Sequence, residues 1–213
     1  MIKLIINDKA IEVEKGTVLL KACLENDIYI PNLCYLEEME SGSASCRMCF
    51  VEVEGEEKPV ASCTVKVTGN MIVRTDTPAV RRLQRSAFRL LLSTHHVDCS
   101  NCQANKKCAL QQIAKFLQVG LKQKDLEQIL KDTAVDKSHP CFNFFPNRCV
   151  LCGKCVFVCK KQGEKAILAF AKRGFDTIIS FYGAGNLSTI SCEACNGCIK
   201  ICPVGAITKK EKA

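Results

Sequence analysis

The sequence predicts an α+β protein built from three small modules, because three segments of the 213-residue chain differ in pattern. Residues 1–77 contain short stretches in which apolar and polar residues alternate, as they do in half-buried strands. Residues 78–135 repeat apolar residues at helical spacing. Residues 140–213 contain the same cysteine motif twice, which indicates a pseudo-twofold module. These three ranges are the predicted domains.

The first segment is predicted to be mostly β-structure with one helix. Four strands are expected, at residues 2–6, 10–14, 49–54 and 71–74. Asn7-Asp8-Lys9 lies between the first two strands and predicts a hairpin turn. The apolar spacing of residues 18–24 predicts a helix, for which Thr17 is the expected N-cap.

The second segment is predicted to be helical. Thr77-Pro78 places a capping residue before a proline at the first helical position, so a helix should begin there. A second helix is expected over residues 109–119, ending at Gly120. The charged stretch 121–139 predicts a third short helix followed by a linker.

The chain contains 17 cysteines, and its other features favour a metal-binding role for them. No apolar run approaches the roughly 20 residues that span a bilayer, and the N-terminus lacks the pattern of a signal peptide, so we expect a cytoplasmic protein without a membrane span. Thiols stay reduced in that compartment. Clustered cysteines there indicate metal or catalytic sites rather than disulfides.

The first cysteine group predicts a [2Fe–2S] site with the ligands Cys34, Cys46, Cys49 and Cys63. Residues 41–45, which lie between its first two members, are all small and would let backbone N–H groups approach the sulfides of a cluster. Four thiolates could also hold structural zinc, but zinc sites usually have two close cysteine pairs and this group has one. We therefore favour the [2Fe–2S] site.

The second group predicts a [4Fe–4S] cluster with the ligands His95, Cys99, Cys102 and Cys108. One imidazole and three thiolates could also bind zinc. A neutral imidazole in place of a thiolate should raise the potential of a cluster, because the cluster becomes less negative. The adjacent His96 is not excluded by spacing alone.

The third and fourth groups each have the C-x2-C-x2-C-x3-C spacing of bacterial ferredoxins. In two-cluster ferredoxins the fourth cysteine of each run ligates the other cluster. Two [4Fe–4S] clusters are therefore expected, one bound by Cys149, Cys152, Cys155 and Cys202, the other by Cys159, Cys192, Cys195 and Cys198. Gly153 and Gly197 lie where the backbone should turn closely round these clusters.

The four predicted clusters change how the net charge of +8 is interpreted. Fifteen ligand thiolates and the positive cluster cores together lower the formal charge to about +1. The cations are also scattered along the chain rather than grouped in a stripe, so we do not expect nucleic-acid binding. Cys23 and Cys141 fall outside the ligand spacings and are expected to be packing residues.

In this order, the four motifs resemble a known family of iron–sulfur proteins. Residues 46–55, 95–110 and 147–155 look especially similar to the N-terminal region of the large iron–sulfur subunit of NADH dehydrogenase and of multi-cluster [FeFe]-hydrogenases, and to the small diaphorase subunit of NAD-linked [NiFe]-hydrogenases. The resemblance implies a plant-type β-grasp [2Fe–2S] domain, a small helical domain with one-histidine, three-cysteine ligation, and a βαββαβ ferredoxin domain with two [4Fe–4S] clusters. It also selects His95 over His96, because the family's histidine lies four positions before the first cysteine.

The function implied by the resemblance is an electron relay without catalytic residues of its own. No motif for NAD, flavin or hydrogen binding is evident, and we expect no catalytic domain after Ala213. The expected partners in a hetero-oligomer are a flavin-containing NAD(P)H-oxidoreductase subunit and a hydrogenase, of the [NiFe] rather than the [FeFe] type, in a complex that includes the electron-bifurcating kind. The alternatives are the equivalent subunit of an NAD-linked formate dehydrogenase, a free multi-cluster carrier, or a structural zinc protein.

Overall fold

A computed structural model describes residues 1–139, 141–162, 167–181 and 195–210 of the chain. The chain divides into two compact units, and each is presented separately below. The first unit consists of Met1–Leu90 and Ile113–Val119, and the second of Leu91–Gln112 and Gly120–Ala213. Helices α2 (Pro78–Ser93) and α3 (Ala109–Leu117) each contribute residues to both.

The first unit contains a five-stranded mixed sheet and a short helix. Its elements are β1 (Ile2–Ile6), β2 (Lys9–Val13), α1 (Leu19–Glu25), β3 (Phe50–Val53), β4 (Val60–Ala61) and β5 (Ile72–Arg74). The strand order is β2-β1-β5-β3-β4, with β1 parallel to β5 and the other pairs antiparallel. The α+β class and all four strands predicted in this segment are therefore confirmed, with ends that differ by one residue or so.

The core of this unit follows from the alternation of the strands. Leu4 and Ile6 of β1 point to one face and are buried, together with Leu19 and Leu20 of α1. The predicted turn joins β1 to β2, and both Asn7 and Asp8 have positive φ, as the tight turns of two-residue hairpins require. Burial of such alternating apolar faces is the main force that holds the sheet against the helix.

The two predicted helix caps differ in outcome. Thr77 caps α2 as expected, since its Oγ1 accepts a hydrogen bond of 3.2 Å from the Val80 amide. The expected cap at Thr17 is wrong, because Val18 holds the N-cap position of α1 and no side chain caps this helix. The Thr17 backbone instead pairs with a neighbouring segment, where its carbonyl accepts a 2.9 Å hydrogen bond from the Val67 amide. That pairing delays the start of the helix.

Beside the parts of α2 and α3 that belong to it, the described residues of the second unit form two small antiparallel sheets and two short helices. Its elements are β6 (Phe142–Phe144), α4 (Lys154–Gln162), β7 (Leu168–Ala171), β8 (Ile178–Phe181), α5 (Gly197–Ile201) and β9 (Ile207–Lys209). Strand β6 pairs with β9, and β7 pairs with β8. Helices α4 and α5 approach closely at Gly197, where an added Cβ would lie 2.8 Å from Cγ1 of Val158.

The third short helix expected within residues 121–139 is absent, so this prediction is wrong. The backbone of the segment is bonded to other parts of the second unit. The Ile129 amide donates to the Ser93 carbonyl at 2.7 Å, and the Asn147 side chain bonds both the amide and the carbonyl of Lys131. These bonds replace the internal hydrogen bonds that a helix would supply. Among the described residues no helix has the length and apolar character needed to span a membrane.

Candidate iron–sulfur sites

The first candidate site brings together Cys34, Cys46, Cys49 and Cys63, all of which are buried. Cys34 lies in the loop after α1, Cys46 and Cys49 precede β3, and Cys63 follows β4. The sulfurs of Cys34 and Cys46 are 3.5 Å apart. Side-chain hydrogen bonds link Cys63 to both Cys34 and Cys49. The fold thus gathers four thiols from three loops at one end of the sheet.

Backbone groups surround the sulfurs of this site. The Gly42 amide donates to the Cys63 carbonyl at 2.9 Å, and a Cβ on Gly42 would stand only 2.7 Å from the Cys63 sulfur. Hydrogen bonds from the backbone at Ala44 and Met48 reach the sulfurs of Cys63 and Cys46. Backbone N–H groups that point at sulfur are the stabilising feature expected of an iron–sulfur site.

Hydrogen bonds within the set shift the pKa values of its thiols in opposite directions. The hydrogen bond between Cys34 and Cys46 is the main cause that lowers the pKa of Cys34 and raises the pKa of Cys46. The hydrogen bond with Cys63 lowers the pKa of Cys49 to about 7. A cluster is bound by thiolates, so its binding here must release the protons that neighbouring sulfurs share.

The second candidate site contains His95, just after α2. The side chain of His95 is buried, its Nδ1 has no hydrogen-bond partner, and the ring bonds the backbone of Arg148. Burial is the main cause that lowers the His95 pKa to about 4, so the imidazole is neutral at pH 7 and can act as a ligand. One ring nitrogen held by a backbone group and one left without a partner is the usual arrangement of a metal-binding histidine. His96, in contrast, is exposed.

The three cysteines of the second site lie on the segment between α2 and α3. Cys99 begins a short 3₁₀ turn, Cys102 ends it, and the buried Cys108 directly precedes α3. Burial raises the pKa of the Cys108 thiol. All three cysteines therefore lie close to His95 in the sequence and belong to the same unit.

The chain that follows Cys202 packs directly against the second site. The Ala109 amide donates to the Pro203 carbonyl at 2.9 Å. A Cβ on Gly205 would lie 3.2 Å from the Cys102 sulfur and 2.8 Å from the Cβ of Ala104, so this contact requires a glycine. Gly205 also has φ +66°, which glycine adopts without strain. The second and third candidate sites are therefore neighbours within one unit.

The third candidate site is an apolar cavity in the second unit. It is lined by Cys149, Cys152, Cys155 and Cys202, with apolar residues such as Val204 and Ile207 between them. Burial raises the pKa of Cys149 to about 12 and also raises that of Cys155. The Ala206 amide donates to the Cys202 sulfur at 3.3 Å. Four thiols and a backbone N–H directed at sulfur fit an iron–sulfur cluster.

The fourth predicted ligand set is described only in part. Cys159 lies on α4, Cys195 lies two residues before α5, and Cys198 lies in the first turn of α5. Cys192 falls outside the described residues. Cys195 is exposed, and its sulfur lies 3.6 Å from Oε1 of Gln162. An added Cβ on Gly197 would be 3.4 Å from that sulfur.

The two remaining cysteines lie apart from these sets. Cys23 is fully buried in the core of the first unit, and burial raises its pKa to about 12. Cys141 is half-buried, and its amide donates to Nδ1 of His139. Within the described ranges, no three or more His, Cys, Asp or Glu side chains are arranged as ligands of a single metal ion.

Gly42, which touches the Cys63 sulfur, belongs to the small-residue stretch 41–45 that is expected to approach the first cluster. Sequence reasoning missed two other residues that the structure places against the candidate sites: Gly205 touches the Cys102 sulfur, and Arg148 lies beside His95. A signal for Arg148 was present, because the two copies of the cysteine motif differ at this position, where Ser191 stands in the second copy. The contact of Gly205 joins distant parts of the chain, and the sequence contained no sign of it.

Family models match most of the chain in three parts. A 2Fe-2S iron-sulfur cluster binding domain matches residues 1–78. The iron-sulfur binding region of NADH-ubiquinone oxidoreductase-G matches residues 84–121. The ferredoxin-like domain of NADH-quinone oxidoreductase subunit 3 matches residues 140–208.

Two curated proteins illustrate the similarity in sequence. The chain is 33% identical over 213 residues to the NADH-ubiquinone oxidoreductase 75 kDa subunit of Reclinomonas americana. This match covers 100% of this chain and 30% of that protein. The chain is 31% identical over 220 residues to NADP-reducing hydrogenase subunit HndD of Solidesulfovibrio fructosivorans, which covers 99% of this chain and 36% of that protein. The chain thus spans well under half the length of either relative.

A solved structure matches over the whole chain. It is a chain of an NAD+-reducing [NiFe]-hydrogenase in the H2-reduced state, with a TM-score of 0.88 and 29% identity, and the match covers 100% of this chain and 88% of that one. The resemblance drawn from the cysteine motifs is therefore confirmed. The chain thus shares its iron–sulfur domains with electron-transfer subunits of NAD(P)-linked hydrogenases and complex I-like proteins.

Proposed function

We propose that this chain is a relay that carries one [2Fe–2S] and three [4Fe–4S] clusters. The ligands would be Cys34, Cys46, Cys49 and Cys63 for the [2Fe–2S] cluster; His95, Cys99, Cys102 and Cys108 for the second site; Cys149, Cys152, Cys155 and Cys202 for the third; and Cys159, Cys192, Cys195 and Cys198 for the fourth. The observation that carries the proposal is the cavity in which Cys202 joins the three cysteines of the first ferredoxin-type run. This grouping is what crossed ligation between two runs requires.

The proposal includes three domains with the boundaries expected from the sequence, 1–77, 78–135 and 140–213. The parallel pairing of β1 with β5 beside α1 supports a β-grasp domain. The order of the described elements β6, α4, β7, β8, α5 and β9 supports a βαββαβ ferredoxin domain. The cytoplasmic location and a role in electron bifurcation stay predictions.

The clusters, when bound, would supply one-electron redox chemistry, and the chain would hold and tune them. Apolar residues keep water away from the buried ligands of the first and third sites. The contact of Gly205 with Cys102 keeps the second and third sites close together. No residue of the chain is assigned a role in acid–base catalysis, and no flavin or NAD is proposed to bind this chain.

We propose a flavin-containing NAD(P)H-oxidoreductase subunit and a hydrogenase as partners in a hetero-oligomer. The structural match to a chain of an NAD+-reducing [NiFe]-hydrogenase, which extends over 88% of that chain, supports a [NiFe] rather than an [FeFe] partner. Co-purification of the native complex and identification of its subunits tests this proposal. We expect a complex that couples H2 oxidation to NAD(P)+ reduction. A complex that instead oxidises formate, or a stable free carrier, would contradict the hydrogenase assignment.

A further inference from the structure

Arg148 is a buried cation that lies beside the proposed ligands of the second site and is next in the chain to Cys149, a proposed ligand of the third. It ends a short 3₁₀ turn (Pro146–Arg148) and directly precedes Cys149 in the chain. Its backbone bonds the ring of His95, and its side chain is largely inaccessible to solvent. All of these residues belong to the second unit.

The contacts of the guanidinium fix its position. Its NH2 group donates to the Asn101 carbonyl at 3.2 Å, on the turn between Cys99 and Cys102. Its Cζ lies 4.2 Å from the centre of the Phe145 ring. Neither the carbonyl nor the ring neutralises the positive charge of the guanidinium, because neither carries a negative charge.

Among the described residues no carboxylate lies within 4.0 Å of this guanidinium. The pKa of Asp98 is lowered mainly by its hydrogen bond with Asn101, and the charge of Arg148 contributes only weakly. A buried cation without a counter-ion is costly, because it loses its hydration and gains no partner. The anions that could compensate are the thiolate-bound clusters of the second and third sites.

We propose that Arg148 supplies positive charge to both of these clusters and thereby raises their reduction potentials. The proposal rests on the cluster assignment under the proposed function. Each added electron makes a cluster more negative, and a cation held nearby in a medium of low dielectric constant stabilises the reduced state.

The internal repeat adds a restriction to this proposal. Ser191 occupies the position of Arg148 in the second copy of the motif, so the fourth site has no arginine at that point in its sequence. Loss of the Arg148 charge should therefore lower the potentials of the second and third clusters and leave the potential of the fourth much less changed.

The test is an EPR-monitored redox titration of the full-length, cluster-loaded chain in its complex, with iron content measured in parallel. Arg148→Gln removes the charge and keeps a hydrogen-bond donor, and Arg148→Lys keeps the charge and loses the planar fork. Arg173→Gln is the control, because Arg173 is an exposed cation of the same predicted domain. His95→Cys identifies the signal of the second cluster.

We expect Arg148→Gln to lower the potentials of the second and third clusters, by about 59 mV for each tenfold loss in the reduction equilibrium. Arg148→Lys and Arg173→Gln should stay near wild type. Loss of iron in Arg148→Gln alone, with near-normal cluster potentials in Arg148→Lys, would also support a role for the positive charge of Arg148. Unchanged cluster potentials in Arg148→Gln would overturn the proposal. Equal decreases in potential, or equal losses of iron, in Arg148→Gln and Arg148→Lys would also overturn it. Zinc or no metal in the wild-type chain would instead refute the cluster assignment.

Discussion

Gly205 lies directly against Cys102, so closely that a Cβ on the glycine would stand 3.2 Å from the cysteine sulfur. The two residues are far apart in the sequence, and their contact joins the segment after Cys202 to the second candidate site. An electron relay requires short distances between neighbouring clusters. This contact is therefore one at which a small change should have a large effect on function.

We predict that Gly205→Ala reduces cluster binding at the second site. The new methyl group would overlap both Cys102 and Ala104, and overpacking of this kind costs about 1–3 kcal/mol. Gly174→Ala is a matched control, because Gly174 has a similar φ of +60° and no neighbouring atom within 4 Å. Iron analysis should find about four fewer iron atoms in Gly205→Ala only. Equal iron contents in the two variants would contradict the prediction.

We predict that Gly42→Ala disrupts the [2Fe–2S] site. An added Cβ would lie 2.6 Å from the Cβ of Cys63 and 2.7 Å from its sulfur, so the ligand would have to move. Gly69→Ala is the control, since Gly69 has open space around it. The EPR signal of the reduced [2Fe–2S] cluster should be weak or lost in Gly42→Ala and normal in Gly69→Ala. A full signal from Gly42→Ala would show that the loop tolerates the methyl group.

We predict that His95→Cys keeps the iron content near normal and lowers the potential of the second cluster. A thiolate adds a negative charge where the neutral imidazole stood, and this charge disfavours reduction. His96→Ala is the control, because the His96 side chain is exposed. The backbone amide of His96 donates a hydrogen bond to the Asn147 carbonyl, and this bond does not depend on the side chain. EPR-monitored titration checks both variants. Loss of cluster iron in His96→Ala, with an unchanged potential in His95→Cys, would reverse the ligand assignment.

We predict that Thr77→Ala destabilises the protein and that Thr17→Ala has a smaller effect. The Thr77 hydroxyl accepts the hydrogen bond of the Val80 amide, and loss of such a cap typically costs about 1 kcal/mol. In a chain of this size that corresponds to a decrease of about 2–4 °C in Tm. Thr17 caps no helix. Circular dichroism during heating measures the difference, and equal Tm values for the two variants would argue against the cap.

The sequence predicted the elements and motifs that depend on local chemistry. The turn at Asn7-Asp8, the cap at Thr77 and the spacing of the cysteines all follow from neighbouring residues. The missed features depend on tertiary contacts. Thr17 is drawn into pairing with Val67, and residues 121–139 form no helix because Ser93 and Asn147 bond their backbone. The burial that distinguishes His95 from His96 likewise appears only in the folded chain.

The most direct test of the relay proposal is the metal content and redox behaviour of the native chain, purified anaerobically with its partners. One two-iron and three four-iron clusters require about 14 iron atoms per chain. We predict this iron content, negligible zinc, and four EPR signals that appear on stepwise reduction. A colourless chain that holds zinc instead, or iron clusters that accept no electrons from the partner complex, would contradict the proposal that this chain is an electron relay.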